Sequence, residues 1–389
     1  MSRLLMLVAV DYDSAKAKGV ENLLLQHDED GFFERVILIS PYMRRDRTIA
    51  MSPRHEFREY GTGAGAWRRL LAPVHFVRLV AACLRLVRAE RIDVIRATEP
   101  TLCGLAAWLV SRLTGVPYVL SLHADYDKLY ALDGPRGAPT LFGSRTLIWP
   151  IERLTIGGAA RVMPIRDSLV PYALARGARP ESIRVIPHGI DFATATQVSA
   201  VDVRATFDIP ADRAIVAFAG RLSPENYVTD MLDAMRLLAA RRDDFMLVLA
   251  GGGVLDGEVA ARLRSDGLLA RVVKATGFVP RDTVQALRAA AAVSLCLMGG
   301  FSLIEACAAG RPVIAYDVDW HHELAIDGVT GRLLREGDVA GVADAVADVL
   351  DHPADAARMG AAARQLASER HDQRRATDLR RRCYTEVLG

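Results

Sequence analysis

Two short stretches carry residue types suited to a phosphorylated, hydroxyl-bearing ligand. In "AFAGRLSPENYVTDML" a β-rich run ends at Gly220, Arg221 follows in a loop, and a helical pattern begins near Tyr227. A guanidinium beside helix N-terminal amides suits a diphosphate, and a surface pair with Glu225 is the plainer alternative. In "GGFSLIEACAAGRPVIAYDVDWHHE" (299–323) the buried run before Gly299 and Gly300 reads as a strand, and "SLIEACAAG" as a helix closed by Gly310. Ser302 is the expected N-cap and Glu305 its capping-box partner. The functional alternative is that Glu305 accepts hydrogen bonds from a ribose diol. "LVLAGGG" (247–253) opens another strand into glycines, which either admit a ligand or turn the chain. It lacks both the full GxGxxG spacing and a ribose-binding acid about 20 residues on, which argues against a nicotinamide site.

The first half offers less. "SLHADYDKLY" puts His123 just past a strand, with Asp125 and Asp127 after it, and by itself such a histidine reads as structural. "DYDSAKAKG" holds Lys16 and Lys18, two of only four lysines in a chain with 49 Lys plus Arg, ahead of Gly19. Each lysine alone reads as solvated, while their concentration points to an anionic group on a ligand. Aspartates two apart recur at 11–13, 125–127 and 317–319, a chance pattern in an acid-rich chain. The adjacent histidines of "WHHE" point different ways on a helix, so no metal site is expected.

The elements that must position these residues follow from continuous apolar runs alternating with helical patterns: "LLMLVAV", "RVILIS", "DVIRA" and "PYVLSLH", then "AIVAFAG", "FMLVLAGG", "VVKATGF", "AVSLCL" and "PVIAYD". Such runs are parallel strands covered on both faces. The expectation is α/β, with two Rossmann-like doubly wound sheets facing across a cleft and ligands beyond the carboxyl ends of their strands. At 389 residues two domains are natural. They are placed at 1–195 and 196–372, with 373–389 a helix that could return to the N-terminal domain.

The 49 basic and 47 acidic residues nearly balance, which removes the global case for a nucleic-acid partner. Five cysteines without CxxC spacing read as reduced core residues of a cytoplasmic protein. The apolar run at the N-terminus is short and lacks a cleavage pattern, so it reads as a strand. No run is long enough to span a bilayer. Residues 66–91 are apolar with six arginines. A helix packed on the N-terminal sheet is the favoured reading, and peripheral contact with an anionic membrane face the other.

Taken in order, "GRLSPE", "LVLAGGG", "GFSLIEACAAGRPVIAYD" and "ELAIDGVTGRLL" resemble the donor domain of retaining glycosyltransferases of the GT-B fold, family 4 (glycosyl transferases group 1). "VMPIRDSLVPYALARGARPESIRVIPHGID" resembles the segment leading into that domain. The resemblance implies a metal-independent, cofactor-free transfer of a sugar from a nucleotide-diphosphate donor to a sugar, lipid-linked or small-molecule acceptor. It implies that Arg221 holds the diphosphate, Glu305 the ribose, and the amides of Gly299, Gly300 and Phe301 the sugar. His123 would touch the transferred sugar, and Lys16, Lys18, Gly19 and Asp125 would lie on the acceptor side. Gly220 and Ser302 complete the implied donor set. Two family positions depart: the expected Lys is Asn226, and the expected upstream Glu falls on Leu297. Bias toward arginine does not explain Asn226, since a lysine lost to that bias would have become arginine. The departures keep open a nucleotide-sugar-binding subunit without transfer activity, and, further off, a nucleotide-sugar epimerase.

Overall fold

The apolar runs do become parallel strands, because residues buried on both faces need a sheet with helices on either side. In the computed structural model, which describes residues 2–17, 24–43, 45–61, 71–141, 143–197 and 199–389, the first sheet has seven strands. They are β1 (Ser2–Leu7), β2 (Phe33–Met43), β3 (Arg47–Ala50), β4 (His55–Gly61), β5 (Val94–Ala97), β6 (Tyr118–Leu122) and β7 (Arg161–Pro164), in the order β3-β4-β2-β1-β5-β6-β7. Only the edge pair β3–β4 is antiparallel. The second sheet is parallel throughout, with order β10-β9-β8-β11-β12-β13. Its strands are β8 (Ala214–Ala219), β9 (Phe245–Ala250), β10 (Val273–Gly277), β11 (Val293–Leu295), β12 (Val313–Tyr316) and β13 (Gly331–Leu334).

β3 and β4 are not among the continuous apolar runs of the sequence, because they alternate apolar and charged residues. Inward Phe57 is fully buried, while Glu56 meets Arg35 at 2.5 Å. Such alternation marks a half-covered edge.

Contacts divide the chain into Met1–Pro187 with Ala376–Gly389, and His188–Arg375. The division falls a few residues ahead of the small-residue stretch that suggested 195. Most of the last helix (Gln373–Leu388) belongs with the first sheet: Tyr384 is fully buried there, its ring 4.8 Å from that of Phe33. Arg380 on this helix donates to the buried Glu29 carboxylate at 2.6 Å, and Arg96 donates to the Tyr384 hydroxyl at 3.3 Å. Burial pushes the Glu29 carboxyl upward, opposed by the charges of Arg380 and Arg96. A buried carboxylate paired in this way would be costly to strand, so the pair fixes where the helix docks.

The helix Ala72–Ala89 buries Leu79, Ala82, Cys83, Leu86 and Val87 in the first core, as the packing reading required. Its opposite face leaves Leu71, Val74 and Val77 exposed by 45%, 55% and 65%. Residues 66–70 of the same stretch lie outside the described residues.

Candidate functional site

Within the second unit, β8 and β11 are hydrogen-bonded neighbours running in the same direction, so the loop after Gly220 and the turn at Gly299 leave the same edge of the sheet side by side. Close contact between the exits of β8 and β9 depends on glycine. A Cβ on Gly251, whose φ is 144°, would fall 1.9 Å from the carbonyl oxygen of Gly220. That glycine therefore serves the close approach of two backbones, a role beside the two weighed for "LVLAGGG".

Arg221 is exposed, and its guanidinium makes no ion pair among the described residues. Glu225 is held below the usual carboxylate range chiefly by a hydrogen bond from Ser223, with the charge of Arg221 a small contribution. The backbone of Arg221 is tied instead. The Asn226 side-chain amide donates to its carbonyl oxygen at 2.7 Å. Tyr227 then takes a left-handed φ of 54°, and the helix α1 (Val228–Ala239) begins. The start of α1 is anchored by two phenols: Tyr227 donates to Glu336, and Tyr316 donates to Asp230 at 2.9 Å, with the two rings edge-on at 5.1 Å. Burial first, and the neighbouring carboxylates second, push both phenols upward, so they remain donors.

The turn after β11 corrects one expectation. The helix α3 (Phe301–Ala308) starts one residue before Ser302, with Gly300 at the N-cap and no side-chain cap. Ser302 therefore lies inside the first turn, and the capping box with Glu305 does not form. Glu305 instead pairs with Arg288 on the helix α2 (Arg281–Ala290). Arg288 keeps only 9% of its side-chain surface exposed and Glu305 keeps 29%, so the pair is rooted in the fold with the carboxylate on its open side. Arg288 was missed from sequence because nothing local marks a partner 17 positions from Glu305. Leu297 is fully buried in the core. It supplies no substitute for the family's upstream carboxylate.

Gly299 is buried and Gly300 exposed. A Cβ on Gly299 would come 2.9 Å from that of Leu303, whereas one on Gly300 would meet nothing within 4 Å. Open space thus begins at Gly300. Phe301, 44% exposed, has its ring 5.3 Å from the His188 ring. Behind the turn, fully buried His321 accepts from the Gly299 amide at 3.0 Å. The sequence reading had weighed this histidine only as a metal ligand; among the described residues no group of three or more His, Cys, Asp or Glu could hold a metal ion.

In the first unit, a short helix (Tyr12–Ala17) follows β1 and carries exposed Lys16. Asp11 accepts from the Ser14 amide at 2.7 Å, and the Ser14 hydroxyl first, with that amide second, holds its carboxyl below the ordinary range. Lys18 and Gly19 lie outside the described residues. Beside the helix is a depression of about 600 Å³ lined by Asp11, Asp13, Ser14, Arg45, Arg47 and Glu59. Arg47 bridges Glu59 at 2.5 Å and Asp13 at 3.0 Å.

His123 is half-buried past the end of β6, and its carbonyl oxygen accepts from Arg166 at 3.4 Å. Asp125 caps the next helix (Tyr126–Asp133), accepting from the amides of Asp127 and Lys128 at 3.0 and 3.1 Å. That is a local structural task for a residue expected on the acceptor side. Asp127 joins a network in which Arg145 and Arg176 both also bind the buried Glu152, at 2.6 and 3.0 Å.

Two family models match the chain: "Glycosyl transferase 4-like domain" over residues 23–189 and "Glycosyl transferases group 1" over residues 202–366. The 2-deoxystreptamine glucosyltransferase of Streptomyces kanamyceticus is 28% identical over 322 residues, covering 79% of this chain and 81% of that one. A D-inositol 3-phosphate glycosyltransferase of Saccharomonospora viridis is 28% identical over 304 residues, covering 74% and 69%. Sucrose-phosphate synthase from Thermosynechococcus elongatus superposes with a TM-score of 0.73 at 19% identity, covering 100% of this chain and 99% of that one. Anabaena HepE in complex with UDP superposes with a TM-score of 0.71 at 20% identity, covering 99% of each chain.

Proposed function

The chain belongs to the glycosyl transferases group 1, the GT-B retaining glycosyltransferases of family 4 that move a sugar from a nucleotide donor to an acceptor, and from that premise we propose that its donor is a UDP-sugar held at the carboxyl ends of β8 and β11. The observation that carries this reading is the exposed Arg221, without an ion pair among the described residues, in the loop after β8, the strand that neighbours β11 and its Gly299–Gly300 turn. An unpaired guanidinium beside a helix start is a diphosphate site in waiting. Glu305, steadied by Arg288, takes the ribose hydroxyls, and the space over Gly300 takes the sugar. Phe278, 86% exposed just past β10, offers a flat apolar face to the base. The uracil assignment draws on HepE, which shares this fold and was solved with UDP.

In the transfer step the bond between the anomeric carbon and the diphosphate oxygen breaks. The acceptor oxygen bonds to the same face of that carbon, and its proton passes to the departing phosphate. Arg221 stabilises the charge that grows on the leaving diphosphate, a contribution typically worth roughly 3–4 kcal/mol in such sites.

The acceptor is a polyhydroxylated compound, a sugar or cyclitol, seated beside Lys16 in the depression lined by Asp11, Asp13, Arg45 and Glu59. Its mixed carboxylates and guanidinium groups suit hydroxyls flanked by charge, the chemistry named in the two relatives. Turnover of UDP-glucose tests the assignment: Arg221→Ala should lower kcat about a hundredfold or more, and Lys16→Ala far less. Equal losses would remove Arg221 from its role.

Among the described residues no helix is long and apolar enough to cross a membrane. Exposed Leu71, Val74 and Val77, followed on the same helix by Arg78, Arg85 and Arg88, suit the surface of an anionic bilayer. Co-sedimentation with phosphatidylglycerol vesicles, lost in Val74→Asp with Val77→Asp and absent with phosphatidylcholine, is the expected result.

A further inference from the structure

The bonds that join β11 to β12 include those from the Ser294 amide to the Pro312 carbonyl at 3.0 Å, from the Cys296 amide to the Ile314 carbonyl at 2.8 Å and, longer, from the Tyr316 amide to the Leu297 carbonyl at 3.4 Å. The first two lie two residues apart along both strands. The next acceptor in that series is the Tyr316 carbonyl, and it is met by Nδ1 of His321 at 2.9 Å. The amide of Gly299 ends on the other ring nitrogen, Nε2, at 3.0 Å. Past the last of these bonds an imidazole ring thus joins the Tyr316 carbonyl to the Gly299 amide.

The chemistry fixes the tautomer. Nδ1 faces the Tyr316 carbonyl and so carries a proton and donates it; Nε2, 3.0 Å from the Gly299 amide and 3.1 Å from the Gly299 carbonyl oxygen, accepts from the amide in the neutral ring. His321 is fully buried, in the short turn His321–Glu323 that follows β12, with the Trp320 ring edge-on at 6.0 Å. Held on one side by this ring and on the other by Leu303 of α3, Gly299 has little room to move. The first residues of α3 follow directly, and Glu305 rides on the same helix.

We infer that His321 is a positioning residue for donor binding: its imidazole, wedged between the Tyr316 carbonyl and the Gly299 amide, sets where the Gly299–Gly300 turn and the start of α3 stand relative to the nucleotide. This rests on the reading that the turn and Glu305 meet the donor. A leucine of similar volume would fill the space and drop both bonds, leaving the buried Gly299 amide without that partner and the Tyr316 carbonyl with its bond from the Val318 amide at 2.9 Å. The strands would then close toward each other or the turn would shift. Glutamine presents a donor and an acceptor on one planar group and can serve both partners; asparagine is too short to reach both.

The test is calorimetric titration of UDP into the full chain and into His321→Leu, His321→Gln, His321→Asn and Glu305→Ala, with thermal melting to confirm that each is folded. UDP is expected to bind His321→Leu and His321→Asn about tenfold more weakly than the parent, with His321→Gln close to the parent. A purely structural role would lower the melting temperature and leave the UDP Kd of the folded protein unchanged. That result, with binding still lost in Glu305→Ala, overturns the inference alone. Unchanged binding in Glu305→Ala would instead overturn the reading of the donor site on which it rests. Should His321→Leu not fold, the contrast between His321→Gln and His321→Asn decides, and equal affinities for those two count against the inference.

Discussion

The side-chain amide of Asn226 donates to the carbonyl oxygen of Arg221 at 2.7 Å, so the residue standing where the family has a lysine braces the backbone of the arginine proposed to hold the diphosphate. One cation is absent, and the remaining one sits on a tied loop. A short-range brace of this kind restrains the loop at a cost far below that of holding a second charge in place.

Asn226→Ala should therefore loosen Arg221 without removing it. The expected effect on UDP affinity is about fivefold, the worth of one neutral hydrogen bond of about 1 kcal/mol. Asn226→Asp, which replaces the donor by an acceptor and adds a negative charge near the phosphates, should be worse than Asn226→Ala. Calorimetry with UDP ranks the three proteins, and an Asn226→Asp variant equal to the parent would show that the brace has no bearing on binding.

Arg288 makes a second prediction. Hydrogen bonds to charged groups contribute roughly 1.5–3 kcal/mol, and Arg288→Met would leave the Glu305 carboxylate without that partner. UDP affinity should fall at least about tenfold, with Arg288→Lys recovering part of the loss. The KM of the acceptor should not change, because the helix α2 belongs to the second sheet and the acceptor depression to the first.

How much was legible in the sequence follows from what each residue depends on. β1, β2, β5, β6, β8, β9, β11 and β12 announce themselves as apolar runs, because burial on both faces leaves little place for polar residues, while the edge strand β10 is largely exposed. β3 and β4 do not, since an edge covered on one face needs only alternate apolar positions. Arg221 and Glu305 stood out by type and by position after strands. The capping box was a sound local reading of Ser302 and Glu305, yet it failed because α3 begins at Phe301 and its Glu305 is claimed by a tertiary partner. Arg288 meets Glu305 17 positions away, and His321 meets Gly299 22 positions away, so no local pattern could reveal them. His321 was visible as a residue type, but only metal ligation was weighed for it and set aside, whereas its ring joins two backbones.

A third prediction concerns pH. Burial holds His371 below the ordinary imidazole range, and its Nδ1 is 2.8 Å from the His188 carbonyl, to which the neutral ring donates. Unfolded, the same group titrates near about 6.5, so as pH falls the unfolded chain takes up the proton first. The stabilisation is full above about 6.5 and drains away as pH drops from there toward the lower folded value. The urea midpoint should fall between pH 7.5 and 5.5, and by less in His371→Gln. An identical fall in both proteins would remove His371 as a source of the pH dependence.

The most direct measurement of the central claim, a UDP site built from Arg221 and Glu305, is calorimetric titration of UDP, GDP, ADP and dTDP into the parent, Arg221→Ala and Glu305→Ala. The account predicts that UDP binds the parent in preference to the other three, and that each substitution weakens it about tenfold or more. Binding of UDP that survives both substitutions, or a parent that prefers another base, would contradict it.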